Sequence, residues 1–411
     1  MKKRAKDQTE DLEQPQEMAD ELPPEGAESE EDLGSVDPAI LGKAVVYGTD
    51  WTADTILTQL RKGNIFLDPA FQRRDAWTQA RKSRFVESLI LGLPIPQIVL
   101  AESRDSRGTF IVIDGKQRLL SLQQFAGINL PAGQPPLTLR GLRVRKELNG
   151  KTMREMQSDP ADTPYLTAFE NQPIRTVIVK NWKEEKVLYI IFHRLNTNSV
   201  PLSPQELRQA LHPGPFLSYA AQYSESSQGL QQALNITKPD FRMRDVELLI
   251  RSFAFRNYLP DYRGNLKEFL DKTCRVLNKQ WKHREGAIRG QAQDLECAIS
   301  TTFKIFGGDG AFRKWDGSRF ERRFNRAAFD IMVYYFSQKR CRQEARAIRQ
   351  DVRETFKRLC TGNAEFLKSL ETTTKSVDAT AIRFTRWGRR LRRLGLHLQV
   401  PKLKYAKAKR R

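Results

Sequence analysis

The residues with the clearest chemical potential lie where an apolar, β-branched run ends at Asp114 and Gly115. Lys116 and Arg118 follow at once, in a helix-like stretch that Gly127 closes. A carboxylate at a strand end can bind a metal ion or a ribose hydroxyl, and glycine lets the backbone turn closely under a ligand. The N–H groups of a helix start and two cations favour an anion. The turn is a candidate phosphate site, although an ordinary strand-to-helix turn has the same signature.

Two other segments carry polar groups that could converge on this turn. Gln72 and Arg73 lie between two aromatic residues, where amide and guanidinium donors suit an oxyanion. Arg194 and Asn196 lie where a predicted helix gives way to a loop. Each segment is a weak signal when taken alone.

The overall charge indicates a polyanionic partner. The 411 residues include 70 Lys and Arg against 49 Asp and Glu, a formal net charge of +21. Such an excess acts on association and not on the fold, and it favours nucleic acid or nucleotides. A solubilising surface is the alternative explanation.

Cysteine spacing and hydropathy exclude several classes of protein. The four cysteines lie far apart and do not pair with the four histidines, so neither a zinc site nor a disulfide framework is predicted. The charged start has no apolar core, which excludes a signal peptide. No window approaches the ~18 consecutive apolar residues of a membrane span. We therefore expect a cytoplasmic protein without membrane contact.

Four regions are predicted along the chain. Residues 1–40 are rich in Glu, Asp, Pro and Gln, which is typical of a disordered acidic arm. Residues 41–182 mix strand and helix patterns, whereas 183–375 have helical periodicity almost throughout. Residues 376–411 are predicted to form a basic tail, because twelve Lys or Arg follow the last acidic residue, Asp378. The predicted fold class is α+β, a mixed α/β domain followed by an all-helical domain.

Individual elements can be predicted from periodicity and from stop signals. In the first domain, helices are predicted at 52–62 and 79–91, and strands at 97–102, 109–113, 137–142 and 174–179. Ser203-Pro-Gln-Glu206 is a capping box, so a helix begins there. Later helices are predicted at 243–258, 266–281, 322–337 and 341–359, with their aromatic residues in the core.

The order of the motifs resembles the N-terminal domain of GmrSD-type restriction endonucleases, a branch of the ParB/sulfiredoxin-like superfamily. The resemblance rests on Phe-Gln-Arg with a downstream Trp, Gly-Leu-Pro-Ile-Pro after a helix, Ile-Asp-Gly-Lys-Gln-Arg, and Phe-His-Arg-Leu-Asn-Thr with Leu-Ser-Pro-Gln-Glu-Leu-Arg. It covers residues 50–220, and the helical remainder looks like the C-terminal part of stand-alone members. It implies a ParB/sulfiredoxin-like fold for the α/β domain.

The resemblance also implies a nucleotide-binding and hydrolysing site. The residues that match the family's site are Asp114, Gly115, Gln117, Arg118, Gln72 and Arg73. In our main hypothesis Asp114 binds Mg²⁺ or orients water, and Arg194 stabilises charge as an arginine finger. Lys116 and Asn196 are further candidate binding residues. Lys116 replaces the glutamine of the family motif, which keeps a donor and adds a charge.

Family members that cut DNA carry a histidine-rich HNH domain, and the His-Pro of this sequence, His212-Pro213, lies by the capping-box helix. We therefore expect no DNA cleavage by this chain alone. The main hypothesis is a component of a prokaryotic DNA-directed defence or restriction system that binds and hydrolyses a nucleoside triphosphate with Mg²⁺. Its expected partners are DNA and a separate nuclease or defence protein. The alternative is a non-enzymatic ParB-like DNA-binding or adaptor protein whose nucleotide pocket is a switch or is vestigial.

Overall fold

The structure is a computed structural model that describes residues 42–67, 74–195, 203–371 and 376–403. It confirms the predicted α+β class, because a mixed sheet with helices comes first and an all-helical region follows. None of the helices in these ranges combines the length and apolar content that crossing a membrane requires.

Five strands form one mixed sheet. They are β1 (Val45–Thr52), β2 (Ile65–Phe66), β3 (Ile98–Glu102), β4 (Phe110–Asp114) and β5 (Pro173–Lys180). Their order across the sheet is β1-β5-β3-β4-β2. β3 and β4 form the predicted antiparallel hairpin, while β5 pairs parallel with β3 and antiparallel with β1. The candidate turn therefore follows a strand that has a neighbour on each side.

Helices cover both faces of this sheet. One face packs against α1 (Ala53–Arg61), α2 (Gln79–Ile90), α3 (Lys116–Phe125), α4 (Met153–Ser158) and α5 (Thr163–Asn171). The other face packs against α6 (Glu185–Leu195) and α7 (Pro204–Leu211). The period-2 alternation of a strand explains this division, because Val112 faces the first layer and Ile113 the second. Packing on the sheet thus extends beyond the boundary predicted at residue 182.

The rest of the described chain is helical. It comprises α8 (Pro215–Ser226), α9 (Gln228–Leu234), α10 (Arg244–Tyr258), α11 (Leu266–Gly310), α12 (Arg326–Phe336), α13 (Lys339–Ala347), α14 (Arg349–Gly362), α15 (Ala364–Glu371) and α16 (Val377–Arg393). These helices enclose one continuous core. Phe384, Trp387 and Leu391 of α16 are fully buried in it. The helical bundle therefore continues past residue 375, into the region predicted as a basic tail.

The strand predicted at 137–142 is wrong. Leu137 and Leu139 are buried, but their N–H groups donate to Gln124 O and Lys151 O, which do not belong to the sheet. Gly141, with a φ of 68°, adds a turn inside this segment. The apolar residues that suggested a strand instead line the core beneath the first helical layer.

A buried ion pair joins the two parts of the molecule. Arg74 is 1% exposed and donates to both carboxylate oxygens of Asp245 at 2.7 and 2.8 Å. It also donates to Asp240 O and Ala221 O, at 2.9 and 3.2 Å. Burial raises the pKa of Asp245, although the charge of Arg74 opposes that shift. The segment that precedes α2 is thereby attached to α8 and α10.

Candidate functional site

The turn between β4 and α3 requires glycine. Gly115 has φ 94° and ψ 12° and is the N-cap residue of α3. A Cβ atom at this position would lie 3.0 Å from Ile98 Cγ1 and 3.3 Å from Ile98 Cα. Because this φ is unfavourable for any side chain and the neighbouring strand is already in contact, other residues would be strained here.

The start of α3 presents backbone donors. The first N–H groups of an α-helix have no partner within the helix, and Gly115 provides no side-chain cap for them. The N–H groups of Lys116 and Gln117 therefore lie at the positive end of the helix dipole, directly after Asp114. This arrangement suits an anion.

Arg118 holds the carboxylate of Asp114 in place. Its Nη2 atom donates to Asp114 Oδ2 at 3.1 Å and to the carbonyl oxygen of Gln97 at 2.7 Å. The other Asp114 oxygen accepts from the N–H of Gly115 at 2.7 Å. Burial lowers the pKa of Arg118, while the charge of Asp114 opposes the shift. Asp114 is thus oriented at the turn, and its side chain retains 19% exposure.

Lys116 connects the turn to the capping-box helix α7. Its ammonium group forms a buried ion pair with Glu206, and the side chains are 5% and 4% exposed. The other oxygen of Glu206 accepts from the N–H of Ser203 at 2.6 Å, so the predicted capping box is confirmed. One carboxylate therefore caps α7 and neutralises the charge of Lys116.

Gln117 connects the same turn to the segment before α2. Its Oε1 atom accepts a hydrogen bond from the N–H of Ala76 at 3.3 Å. With the ion pair of Lys116 and Glu206, this contact attaches two distant parts of the chain to the first turn of α3. These two parts are the segment before α2, which follows Gln72 and Arg73 in the sequence, and the capping-box helix α7.

A known family matches the part of the chain that contains this turn. Residues 54–213 match the family model of the GmrSD restriction endonuclease, N-terminal domain. These residues are a GmrSD N-terminal domain. The match relates the chain to restriction systems. No curated protein and no solved structure matched the chain.

Within the GmrSD N-terminal domain, five predicted site residues are consecutive in the chain and run from the last residue of β4 into the first turn of α3. They are Asp114, Gly115, Lys116, Gln117 and Arg118. Arg194 is exposed in the last turn of α6. Gln72, Arg73 and Asn196 lie outside the described residues. The roles of all these residues remain predictions.

Two groups at the site were missed by sequence reasoning. The carbonyl oxygen of Gln97 fixes Arg118, and Glu206 neutralises Lys116. No local sequence signal could identify the carbonyl oxygen of Gln97 as the partner of Arg118, because every residue has a carbonyl group. Glu206 was recognised only through its capping role, since its cationic partner lies 90 residues away.

A cluster of possible metal ligands lies elsewhere in the chain. Glu185, His212 and Asp271 offer one ligand atom each, all within 4.8 Å of one another. Arg208 Nε and Lys267 Nζ already contact Asp271 at 2.6 and 2.7 Å. Burial alone would raise the pKa of Asp271, but Arg208, His212 and Lys267 hold it well below its ordinary value. Arg208 and Lys267 each pair with one oxygen of this buried carboxylate, so neither oxygen is left for a divalent metal ion and the cluster does not fit one.

Proposed function

We propose that the GmrSD N-terminal domain binds a nucleoside triphosphate, with phosphates at the first turn of α3, and hydrolyses it as part of a DNA-directed defence or restriction system. The observation that carries this proposal is the start of α3 behind a left-handed glycine that supplies no side-chain cap, beside an oriented carboxylate. Backbone donors at a helix N-terminus can bind phosphate without a specific side chain.

In this proposal the phosphate contacts come mainly from the backbone. The charge of Lys116 is neutralised by Glu206, and Arg118 is engaged by Asp114 and Gln97. Arg118 is therefore proposed to position Asp114 instead of binding phosphate directly. Gln72 and Arg73 are proposed to add side-chain donors, because they come shortly before Ala76 in the sequence and the N–H of Ala76 donates to Gln117.

Asp114 is the proposed Mg²⁺ ligand. Mg²⁺ in nucleotide sites is usually bound by one or two carboxylates, with phosphate oxygens and water completing its coordination. One oriented and partly exposed carboxylate meets this requirement. The bound metal would neutralise the charge that develops on the transferred phosphoryl group. Arg194 and Asn196, from the end of α6 onward, are proposed to contribute further polar contacts.

The test is to measure nucleotide binding and Mg²⁺-dependent hydrolysis by the purified full chain, with and without DNA. Asp114→Asn keeps the shape of the side chain and removes its charge, so turnover should fall by about 10²-fold or more. Asp105→Asn, in the exposed β3–β4 connection, is the matched control and should leave turnover unchanged.

Arg118→Lys tests the positioning role. Lysine keeps the charge but cannot reproduce the guanidinium geometry between Asp114 and Gln97. Turnover should fall in this variant and should not fall in Arg107→Lys, which changes an exposed residue of the hairpin. If the parent protein hydrolyses nucleotide and both site variants hydrolyse it at the same rate, the placement of the site is wrong. Binding by the parent without turnover would favour the switch or adaptor alternative.

A further inference from the structure

Helix α16 has two chemically different faces. Phe384, Trp387 and Leu391 are fully buried in the helical core. Arg383 is also buried, with Nη2 3.8 Å from Asp330 Oδ2, and burial lowers the pKa of Arg383 to about 10. This face of α16 is part of the fold, so its arginine has a structural role.

The opposite face carries an arginine stripe, defined as Arg386, Arg389, Arg390 and Arg393. The spacing of three, four and seven residues places these side chains on one side of the helix. At 1.5 Å per residue, the stripe runs for about 10 Å along the helix axis.

The arginine stripe lines a surface groove together with the end of α14 and the start of α15. Glu365 of α15 pairs with Arg386 across this groove. The other three stripe residues, Arg389, Arg390 and Arg393, are exposed and do not pair with any carboxylate in the described ranges. Among the described residues, the groove thus has an excess of positive charge that neighbouring carboxylates do not neutralise.

We infer that this groove binds the phosphate backbone of duplex DNA. Arginine forks suit phosphate oxygens, and neutralisation of successive phosphates supplies sequence-independent affinity. A phospholipid surface is the other polyanion to consider, but membrane-binding helices also expose large apolar residues. The large apolar residues of α16 are in the core, which favours nucleic acid. This surface is separate from the nucleotide site and does not depend on the function proposed there.

Truncation is a poor test of this inference, since removal of α16 would also remove buried core residues. Substitution of exposed arginines avoids that problem. The triple variant Arg389→Gln, Arg390→Gln and Arg393→Gln should remain folded by circular dichroism and thermal unfolding. Its affinity for a random-sequence DNA duplex should be at least about tenfold weaker at low salt.

Salt dependence gives the decisive readout. Each phosphate contact contributes about −0.9 to the slope of log K against log salt, so the triple variant should flatten the slope by two to three units. The matched control is Arg61→Gln, Arg107→Gln and Arg154→Gln, which removes the same charge from exposed positions of the sheet domain. Its slope should match that of the parent protein. Lysine at the three stripe positions should preserve most of the slope.

Several outcomes would overturn the inference. They are an unchanged slope in the stripe variant, an equal change in the control variant, and tighter binding to phosphatidylserine vesicles or duplex RNA than to duplex DNA. Nucleotide binding should be the same in parent, stripe and control variants. An unchanged DNA slope together with unchanged nucleotide binding in the stripe variant would count against the groove and not against the α3 site.

Discussion

The first turn of α3 and the groove beside α16 both combine cationic side chains with a helix, but they treat charge in opposite ways. At the α3 turn, Lys116 and Arg118 are buried and neutralised by Glu206 and Asp114. At the α16 groove, three of the four arginines are exposed and lie beside one carboxylate, that of Glu365.

The comparison shows that an arginine-rich or lysine-rich motif does not reveal its mode of action by composition. Buried and paired cations hold a precise geometry, which suits a small ligand in a defined pose. Exposed cations contribute a long-range field that is sensitive to salt, which suits an extended polyanion. Function at the α3 turn should therefore depend on shape, and function at the α16 groove on charge.

The largest expected difference concerns stability. Lys116→Met leaves Glu206 buried without its cation, and removal of one partner from a buried pair typically costs about 3–5 kcal/mol. The free energy of unfolding, measured by denaturant titration, should fall by that amount. Glu285→Gln breaks an exposed pair with Arg289 and should cost only about 0–1 kcal/mol.

A second variant makes this result specific. Adding Glu206→Gln to Lys116→Met removes the unpaired charge while keeping an acceptor for the capping box, so part of the stability should return. A loss in Lys116→Met no greater than that in Glu285→Gln would show that the buried pair behaves as a surface pair.

A smaller effect is expected from a change of shape without a change of charge. Gly115→Ala and Gly108→Ala both place a side chain at positive φ, which costs about 1–2 kcal/mol. Of the two glycines, only Gly115 has a neighbouring strand in contact. The free energy of unfolding should therefore fall by about 1–3 kcal/mol more in Gly115→Ala than in Gly108→Ala. Gly115→Ala should also weaken nucleotide binding, which calorimetric titration would detect. Equal losses in the two variants would argue against a tightly packed turn.

The smallest expected effect on stability lies in the α16 groove. Arg390→Gln should change the free energy of unfolding by less than about 0.5 kcal/mol, because the side chain is exposed. The same variant should flatten the salt slope of DNA binding by about 0.9. Arg383→Gln, on the buried face of the same helix, should reverse the pattern by destabilising the fold. Similar stability in the two variants would contradict the division of α16 into two faces.

Local signals were sufficient for the elements around the candidate site. The hairpin of β3 and β4, the start of α3 and the capping box of α7 all depend on residues within a few positions of one another. Glycine stops and a Ser-Pro start carry that information in the sequence. The predicted helix at 266–281 was too short, because α11 continues to Gly310, with a non-helical Gly307 near its end.

Features that depend on distant partners were not predictable. The edge strand β1 was missed because its exposed Val45, Val46 and Tyr47 show no inward-facing pattern, and its conformation is set by pairing with β5. The ion pair of Lys116 with Glu206 joins residues 90 positions apart, and that of Arg74 with Asp245 spans 171. Only the folded chain brings these charges into contact.

The buried contacts of Arg74 limit how freely the two parts of this protein can be separated or exchanged. Arg74 lies within residues 54–213, which match the family model. Asp245 and the two carbonyl oxygens that Arg74 contacts belong to the helical bundle. A division of the chain after residue 213 would leave an unpaired cation on one fragment and an unpaired carboxylate on the other. The family domain of this protein is therefore not a portable module, and a hybrid with another helical partner would have to supply an acidic residue where Asp245 now lies.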